Sequence, residues 1–273
     1  MKKALLLIVF FISLFFTSCE EVVDVDLDTA APKLVIEASL NWEKGTTGRQ
    51  QVIKLTTTTG YFENAIPTVS GATVFVKNSA NKQFNFVEVA KTGRYVCTNF
   101  EPAINEQYTL TVISSGNTYT ASETMKSVAP ITRIDQNNEG GITGTDIEIR
   151  AYYNDPANED NYYLYRYVYS NKITSGYYVD EDKFFQGNEF FSNSDDEDLA
   201  AGNEIEITHY GISKQYYNYM SILVSIAGSN VGGPFQSPPA TVKGNIMNIT
   251  DKNNYPLGYF ALSETDTRQY TIE

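Results

Sequence analysis

From residue 33 to about residue 127, apolar and polar positions alternate in short bursts divided by turn residues. Leu34-Val35-Ile36-Glu37-Ala38-Ser39-Leu40 opens the series, and Gln51-Val52-Ile53-Lys54-Leu55-Thr56 repeats the period of two expected of a half-buried strand. Gly71 turns into Thr73–Val76, and Gly93 turns into Tyr95-Val96-Cys97. Between them, Phe84 and Phe86 share one face while Val87 and Val89 take the other. Tyr108, Leu110 and Val112 alternate, Ser115-Gly116-Asn117 turns the chain, and Tyr119 and Ala121 return, which predicts a hairpin. Seven such strands in this stretch predict an immunoglobulin- or fibronectin-like β-sandwich over residues 33–129, ended by Val128-Ala129-Pro130.

The second half, residues 130–273, reads as a mostly β domain with one packed helix. Asp146–Tyr152 alternates. In the next strand Tyr163, Tyr165, Tyr167 and Tyr169 fall on one face, with Leu164, Arg166 and Val168 on the other. A polar insertion is expected from about Asn171 to Gly202, before alternation resumes at Glu204–Thr208. Ile212, Tyr216, Tyr219, Leu223 and Ile226 then recur at spacings of four, three, four and three, which predicts a helix over 212–227 capped by Ser213. Closing strands follow within Tyr255–Ile272.

The chain begins differently. Lys2 and Lys3 precede an apolar run, Ala4–Phe16, that is shorter than the ~20 residues of a spanning helix and has the layout of a secretory signal. Thr17-Ser18-Cys19 ends it, and small residues before a cysteine resemble the lipobox of bacterial lipoproteins, although Phe16 stands where leucine is commoner. That resemblance implies a signal peptide over 1–18 and acylation of Cys19, with palmitate among the acyl chains. More than one chain at Cys19 gives stable membrane attachment, each buried methylene contributing about 0.8 kcal/mol. The alternative is an ordinary signal with a chance cysteine. Glu20, Glu21, Asp24, Asp26 and Asp28 make residues 19–32 an acidic tether. Acid directly after the cysteine resembles the surface-export signals of Bacteroidota lipoproteins; a solvated tether facing the periplasm is the other reading.

Charge and residue counts narrow the chemistry. The net charge is -13, and removal of Lys2 and Lys3 leaves 18 basic against 33 acidic residues, which repels nucleic acid. With Cys19 lipidated, Cys97 has no disulfide partner and reads as a small buried hydrophobe. The single histidine, His209, has no second histidine and no GxSxG-type turn to work with, so stacking on Tyr210 or capping a turn is expected of it. Asp195 to Asp198 lacks the spacing of a calcium-wrapping loop and reads as solvated acid. No cofactor or metal is expected. Tyrosine is the concentrated residue, 20 in the chain, and its apolar ring with a polar tip suits interfaces. Core packing takes a share of them; Tyr165, Tyr167, Tyr169, Tyr177 and Tyr178 are the candidates for an exposed contact surface.

At "SPPATVKGNI" and "PLGYFALSE", together with "LVIEASL", "PTVSGATVFV", "GRYVC" and "QYTLTV", the chain resembles a family of Bacteroidota lipoproteins, domain of unknown function 4249. The resemblance implies an outer-membrane lipoprotein, often encoded beside a TonB-dependent receptor, and no established activity. The expectation is therefore a non-enzymatic, lipid-anchored accessory protein that meets such a transporter or its cargo. The alternatives are an independent surface module for glycan or peptide and, further off, a carboxylate-dependent hydrolase.

Overall fold

The computed structural model describes residues 31–60, 63, 65–141, 143–196, 198–228 and 242–273. In chain order these form β1 (Leu34–Glu43), β2 (Gln51–Thr57), β3 (Thr73–Asn78), β4 (Gln83–Glu88), β5 (Arg94–Cys97), β6 (Gln107–Ser114) and β7 (Asn117–Thr124). There follow β8 (Ile131–Gly140), β9 (Asp146–Asn154), β10 (Tyr162–Tyr169), β11 (Gly176–Glu181), β12 (Glu189–Asp196) and β13 (Glu204–Ile212). Helix α1 (Lys214–Gly228), β14 (Met247–Asn248) and β15 (Leu257–Thr271) complete the chain. The protein is mostly β, a sandwich with one helix. A large curled sheet runs β11-β10-β13-β15-β1-β2-β5-β4-β3-β6-β7-β14, and a smaller one runs β12-β9-β8.

The alternation along the first seven strands becomes burial. Ile36, Ala38, Leu40, Ile53, Leu55, Phe84, Phe86, Leu110 and Val112 face one core, while Val87 stands 70 % exposed on the opposite side of β4. The β6–β7 hairpin closes through Ser115 and Gly116, both at positive φ (50° and 76°). That is the turn geometry whose twist matches the flanking strands.

Where the sequence suggests two domains meeting at residue 129, the structure has two cores joined by one strand. Pro32–Glu273 is a single compact unit. β15 lies between β13 and β1, antiparallel to the first and parallel to the second over Val35↔Leu257 to Glu43↔Thr265. Its Phe260 and Leu262 enter the first core, and Tyr270 packs against the second beside Ile272. Residues 33–129 thus lack one of the strands that completes their own sheet. Gly258 makes the approach possible: its φ is +97°, and a Cβ there would lie 2.1 Å from the Ile36 carbonyl oxygen.

Two further expectations change. The stretch 171–202 is not a polar insertion; it supplies β11, a short 3-10 turn at Asp182–Phe184 and β12. Its acidic residues hide a period of two: Phe190, Ser192 and Ser194 turn inward, and β12 pairs with β9 from Glu189↔Asn154 to Asp196↔Ile147. The helix starts at Lys214, because Ile212 is spent on the end of β13 and buried there. Ser213 does cap it, its Oγ accepting from the Tyr216 N–H at 3.1 Å. The same hydroxyl donates to Glu123 Oε2 at 2.9 Å and so fastens the helix start to β7.

Candidate functional site

The alternation of β10 sends four of its five tyrosines inward, all but Tyr162. Tyr165, Tyr167 and Tyr169, expected on a contact surface, are 1 %, 0 % and 6 % exposed and form the second core with Tyr153 and Tyr163. Burial of a tyrosine is tolerated when its hydroxyl finds a partner. Tyr165 meets the Tyr153 hydroxyl at 2.6 Å, Tyr167 meets Ser192 Oγ at 2.7 Å, Tyr169 meets Ser194, and Tyr163 donates to Asp155. Each bond crosses from the large sheet to β9, β12 or the end of β9, so these hydroxyls stitch the two sheets together. The tyrosines therefore supply core volume, which a count of residue type does not reveal.

His209 belongs to the same core. It is 1 % exposed and stacks on Tyr165 (4.9 Å between centroids, 26°), with Tyr153 at 4.5 Å and Tyr163 at 4.8 Å. It does not stack on Tyr210, which points to the other side of β13. Burial holds its pKa down to about 3, only partly offset by a backbone hydrogen bond at Ala129, so the ring is neutral. Cys97 is buried, its thiol pushed up by burial, and donates to Asn99 Oδ1 at 3.2 Å. No three metal-ligating side chains cluster among the described residues. Cys19 and Asp24, Asp26 and Asp28 lie outside the described residues, as do the side chains of Asp195 and Asp196.

Tyr177 and Tyr178 are the two expected contact residues that reach solvent, at 42 % and 38 % exposure. They sit on β11, an edge of the large sheet, and α1 packs alongside. Between them and Met220, Leu223, Val224 and Ala227 lies an apolar groove of about 530 Å³. Ile222 on the helix and Ile173 before β11 add exposed apolar surface nearby in the chain.

Tyr177 also borders a second cavity, of about 200 Å³, on the face of the sheet that turns away from the buried tyrosines. Five neighbouring strands furnish its floor: Tyr177 from β11, Arg166 from β10, Tyr210 from β13, Ser263 from β15, and Ser39 and Asn41 from β1. Tyr216 of α1 closes one side. The register explains the gathering, since Arg166 stands opposite Tyr177 on one side and Thr208 on the other, and Leu164 stands opposite Tyr210. Burial raises the Tyr210 hydroxyl's pKa, partly offset by the adjacent Arg166 guanidinium, and pushes Tyr216 up to about 12. Both hydroxyls are therefore donors at neutral pH. Sequence reading put Arg166 on the correct face but gave it no role. The signal was available: it is the one charged side chain in an otherwise uncharged tyrosine strand.

The family model described as Domain of unknown function (DUF4249) matches residues 20–269. No curated protein matches the chain. Among solved structures, a two fibronectin type-III domain segment from chicken tenascin is similar at 12 % identity, covering 66 % of this chain and 90 % of that one, with a TM-score of 0.22. The FN1–FN3 domains of chicken CNTN1 are similar at 15 % identity, covering 66 % of this chain and 63 % of that one, with a TM-score of 0.27. Among the described residues, no helix is long and apolar enough to cross a membrane.

Proposed function

We propose, for a chain that belongs to the DUF4249 family of domains of unknown function, the role of a non-enzymatic outer-membrane accessory lipoprotein that acts by contact. Acyl chains on Cys19 anchor it, the acidic stretch to residue 32 holds it off the bilayer, and the sandwich presents its working surface to a TonB-dependent transporter or that transporter's cargo. The observation that carries the reading is the apolar run Ala4–Phe16 ending at Thr17-Ser18-Cys19 and turning acidic at once. The groove beside Tyr177 and Tyr178 supports it, because exposed tyrosine next to exposed aliphatic surface is the composition of an interface centre.

Mass spectrometry of the mature chain tests the anchor: residue 19 carries the acyl mass, and Cys19→Ala moves the protein from the membrane to the soluble fraction. An unmodified Cys19 in a freely diffusing product sinks the proposal. Co-purification with a large β-barrel after mild detergent extraction tests the partner. Recovery of the chain alone from membranes that contain such transporters counts against an accessory role and favours the second reading, an independent surface module for glycan or peptide. The cavity floored by Arg166 supports that second reading, since it gathers a guanidinium and several hydroxyls around a hollow of about 200 Å³, room for one small ligand.

A further inference from the structure

We infer that the cavity bounded by Arg166, Tyr177, Tyr210, Tyr216, Ser39 and Asn41 binds a small hydroxylated carboxylate, of the class of a hexuronic acid. The inference goes beyond the proposed membrane role and stands or falls separately from it. Loss of the lipid at Cys19 would leave the cavity intact, and a cavity that binds nothing would leave the anchor intact.

The first support is a cation with one donor left over: the Arg166 guanidinium reaches the Tyr210 hydroxyl and, loosely, Glu206, and its side chain is 35 % exposed. Arg166 Nε is buried and has no hydrogen-bond partner among the described residues, and the ion pair of this guanidinium with Glu206 is loose at 4.0 Å. A buried N–H without a partner is uncommon in folded proteins and marks a place where a further acceptor can bind. A planar guanidinium favours a carboxylate that can accept two of its N–H groups at once.

The second support is the composition of the wall. The chain carries 33 acidic residues against 20 basic ones, yet the cavity lining includes Arg166 and no acidic side chain. Hydroxyls and an amide supply most of the rest, from Tyr177, Tyr210, Tyr216, Ser39, Ser263 and Asn41, and Leu164 and Ala261 add a small apolar share. Burial keeps Tyr210 and Tyr216 protonated, so each offers a donor as well as an acceptor. A ligand with one carboxylate and several hydroxyls matches that set. An apolar acid would leave the hydroxyl protons of Tyr210 and Tyr216 unused, and a neutral sugar would give Arg166 Nε no charged acceptor. A phosphate dianion needs more positive charge than a single guanidinium gives.

The third support is size. A volume of about 200 Å³ equals the share of roughly six or seven waters at ~30 Å³ each. That suits one sugar ring with its substituents, or the terminal residue of a chain whose remainder lies in the groove past Tyr177. Tyrosine rings provide flat apolar faces for the ring's C–H side.

The test titrates the full mature chain, held in a detergent without a sugar head group, with D-glucuronate, D-glucose, acetate and inorganic phosphate by calorimetry and ligand-observed NMR. D-glucuronate is expected to bind saturably with Kd near 1 mM, about -4 kcal/mol, and each of the other three at least tenfold more weakly. Arg166→Gln should weaken glucuronate tenfold or more with an unchanged circular-dichroism spectrum. Tyr177→Phe, at an exposed position that the core does not need, should weaken it severalfold and serves if Arg166→Gln fails to fold. The inference is overturned if glucose or phosphate binds as tightly as glucuronate, or if the substitution that folds leaves the affinity unchanged. Absence of any glucuronate signal up to about 50 mM overturns it equally.

Discussion

The hydroxyls of Tyr153 and Tyr165 lie 2.6 Å apart, one carried by β9 in the small sheet and one by β10 in the large sheet. Both side chains are buried, and burial raises both pKa values, so the pair stays neutral and each oxygen serves as the other's partner. Removing one hydroxyl leaves the other desolvated with nothing to bond, whereas removing both leaves two rings that pack as before.

Tyr153→Phe or Tyr165→Phe alone should therefore cost about 1–3 kcal/mol, and the double substitution should cost less than the two losses added. Urea unfolding of the four species gives the coupling directly. Strict additivity would mean that the two hydroxyls do not depend on each other.

His209 makes the second core sensitive to acid. Its folded pKa, about 3, lies below the ordinary value of 6.5, because burial among the tyrosines opposes charging. The unfolded chain binds a proton below pH 6.5 that the folded chain refuses, so this contribution is complete above 6.5 and is lost as pH falls toward 3. His209→Phe keeps an aromatic ring against Tyr153, Tyr163 and Tyr165 and removes the group that titrates. Its stability at pH 7.5 should stay within about 1.5 kcal/mol of the natural chain, and its fall between pH 6.5 and 4 should be shallower. A parallel fall in both proteins would assign acid sensitivity to other groups.

Asp180 acts with the opposite sign. It stands opposite Tyr163 in the β10–β11 pairing, and burial pushes its pKa up to about 6 from 3.8. The folded state therefore holds a proton that the unfolded state releases, and stability falls as pH rises from about 4 to about 6 and stays low above that. Asp180→Asn relieves this. Allowing for solvent contact, the gain should be about 1 kcal/mol at pH 8, or roughly 2–4 °C in Tm, and should vanish at pH 4. Differential scanning calorimetry at the two pH values decides it, and a gain that persists at pH 4 would point to packing rather than charge.

What could be read from sequence and what could not divide along a physical line. The strands of the first half announce themselves because each buries one face, so period two appears as plain alternation of residue class. The helix is legible for the same reason at a different period, and Ser213 marks its start. β12 was hidden because its inward positions include Ser192 and Ser194, polar residues that bury only because Tyr167 and Tyr169 reach across to them. The tyrosines of β10 misled in the complementary way, their number suggesting surface while their partners lay in strands distant in sequence. Arg166 could be placed on a face, but the cavity around it exists only because β11, β10, β13, β15 and β1 become neighbours. That order depends on long-range pairing, above all the return of β15 to β1, to which no local pattern refers.

That return can be tested at one glycine. Gly258 pairs with Ile36. Its φ is positive, and only 2.1 Å would separate a Cβ at this position from the Ile36 carbonyl oxygen, so there is no room for a side chain. Gly116 in the β6–β7 turn also has positive φ, 76°, but a Cβ there meets nothing within 4 Å. Gly116→Ala should cost only the conformational strain, about 1–2 kcal/mol. Gly258→Ala adds displacement of β15 from β1 and should cost about 3 kcal/mol or more. Trp42, whose register partner on β15 is Glu264, reports on the first half by fluorescence, while far-ultraviolet circular dichroism reports on the whole. Because β15 serves both cores, Gly258→Ala should lower both transitions together, with coincident midpoints. Equal losses for the two alanine substitutions, or a Trp42 transition that stays at its natural midpoint while the dichroism shifts, would show that the first core stands without the C-terminal strand.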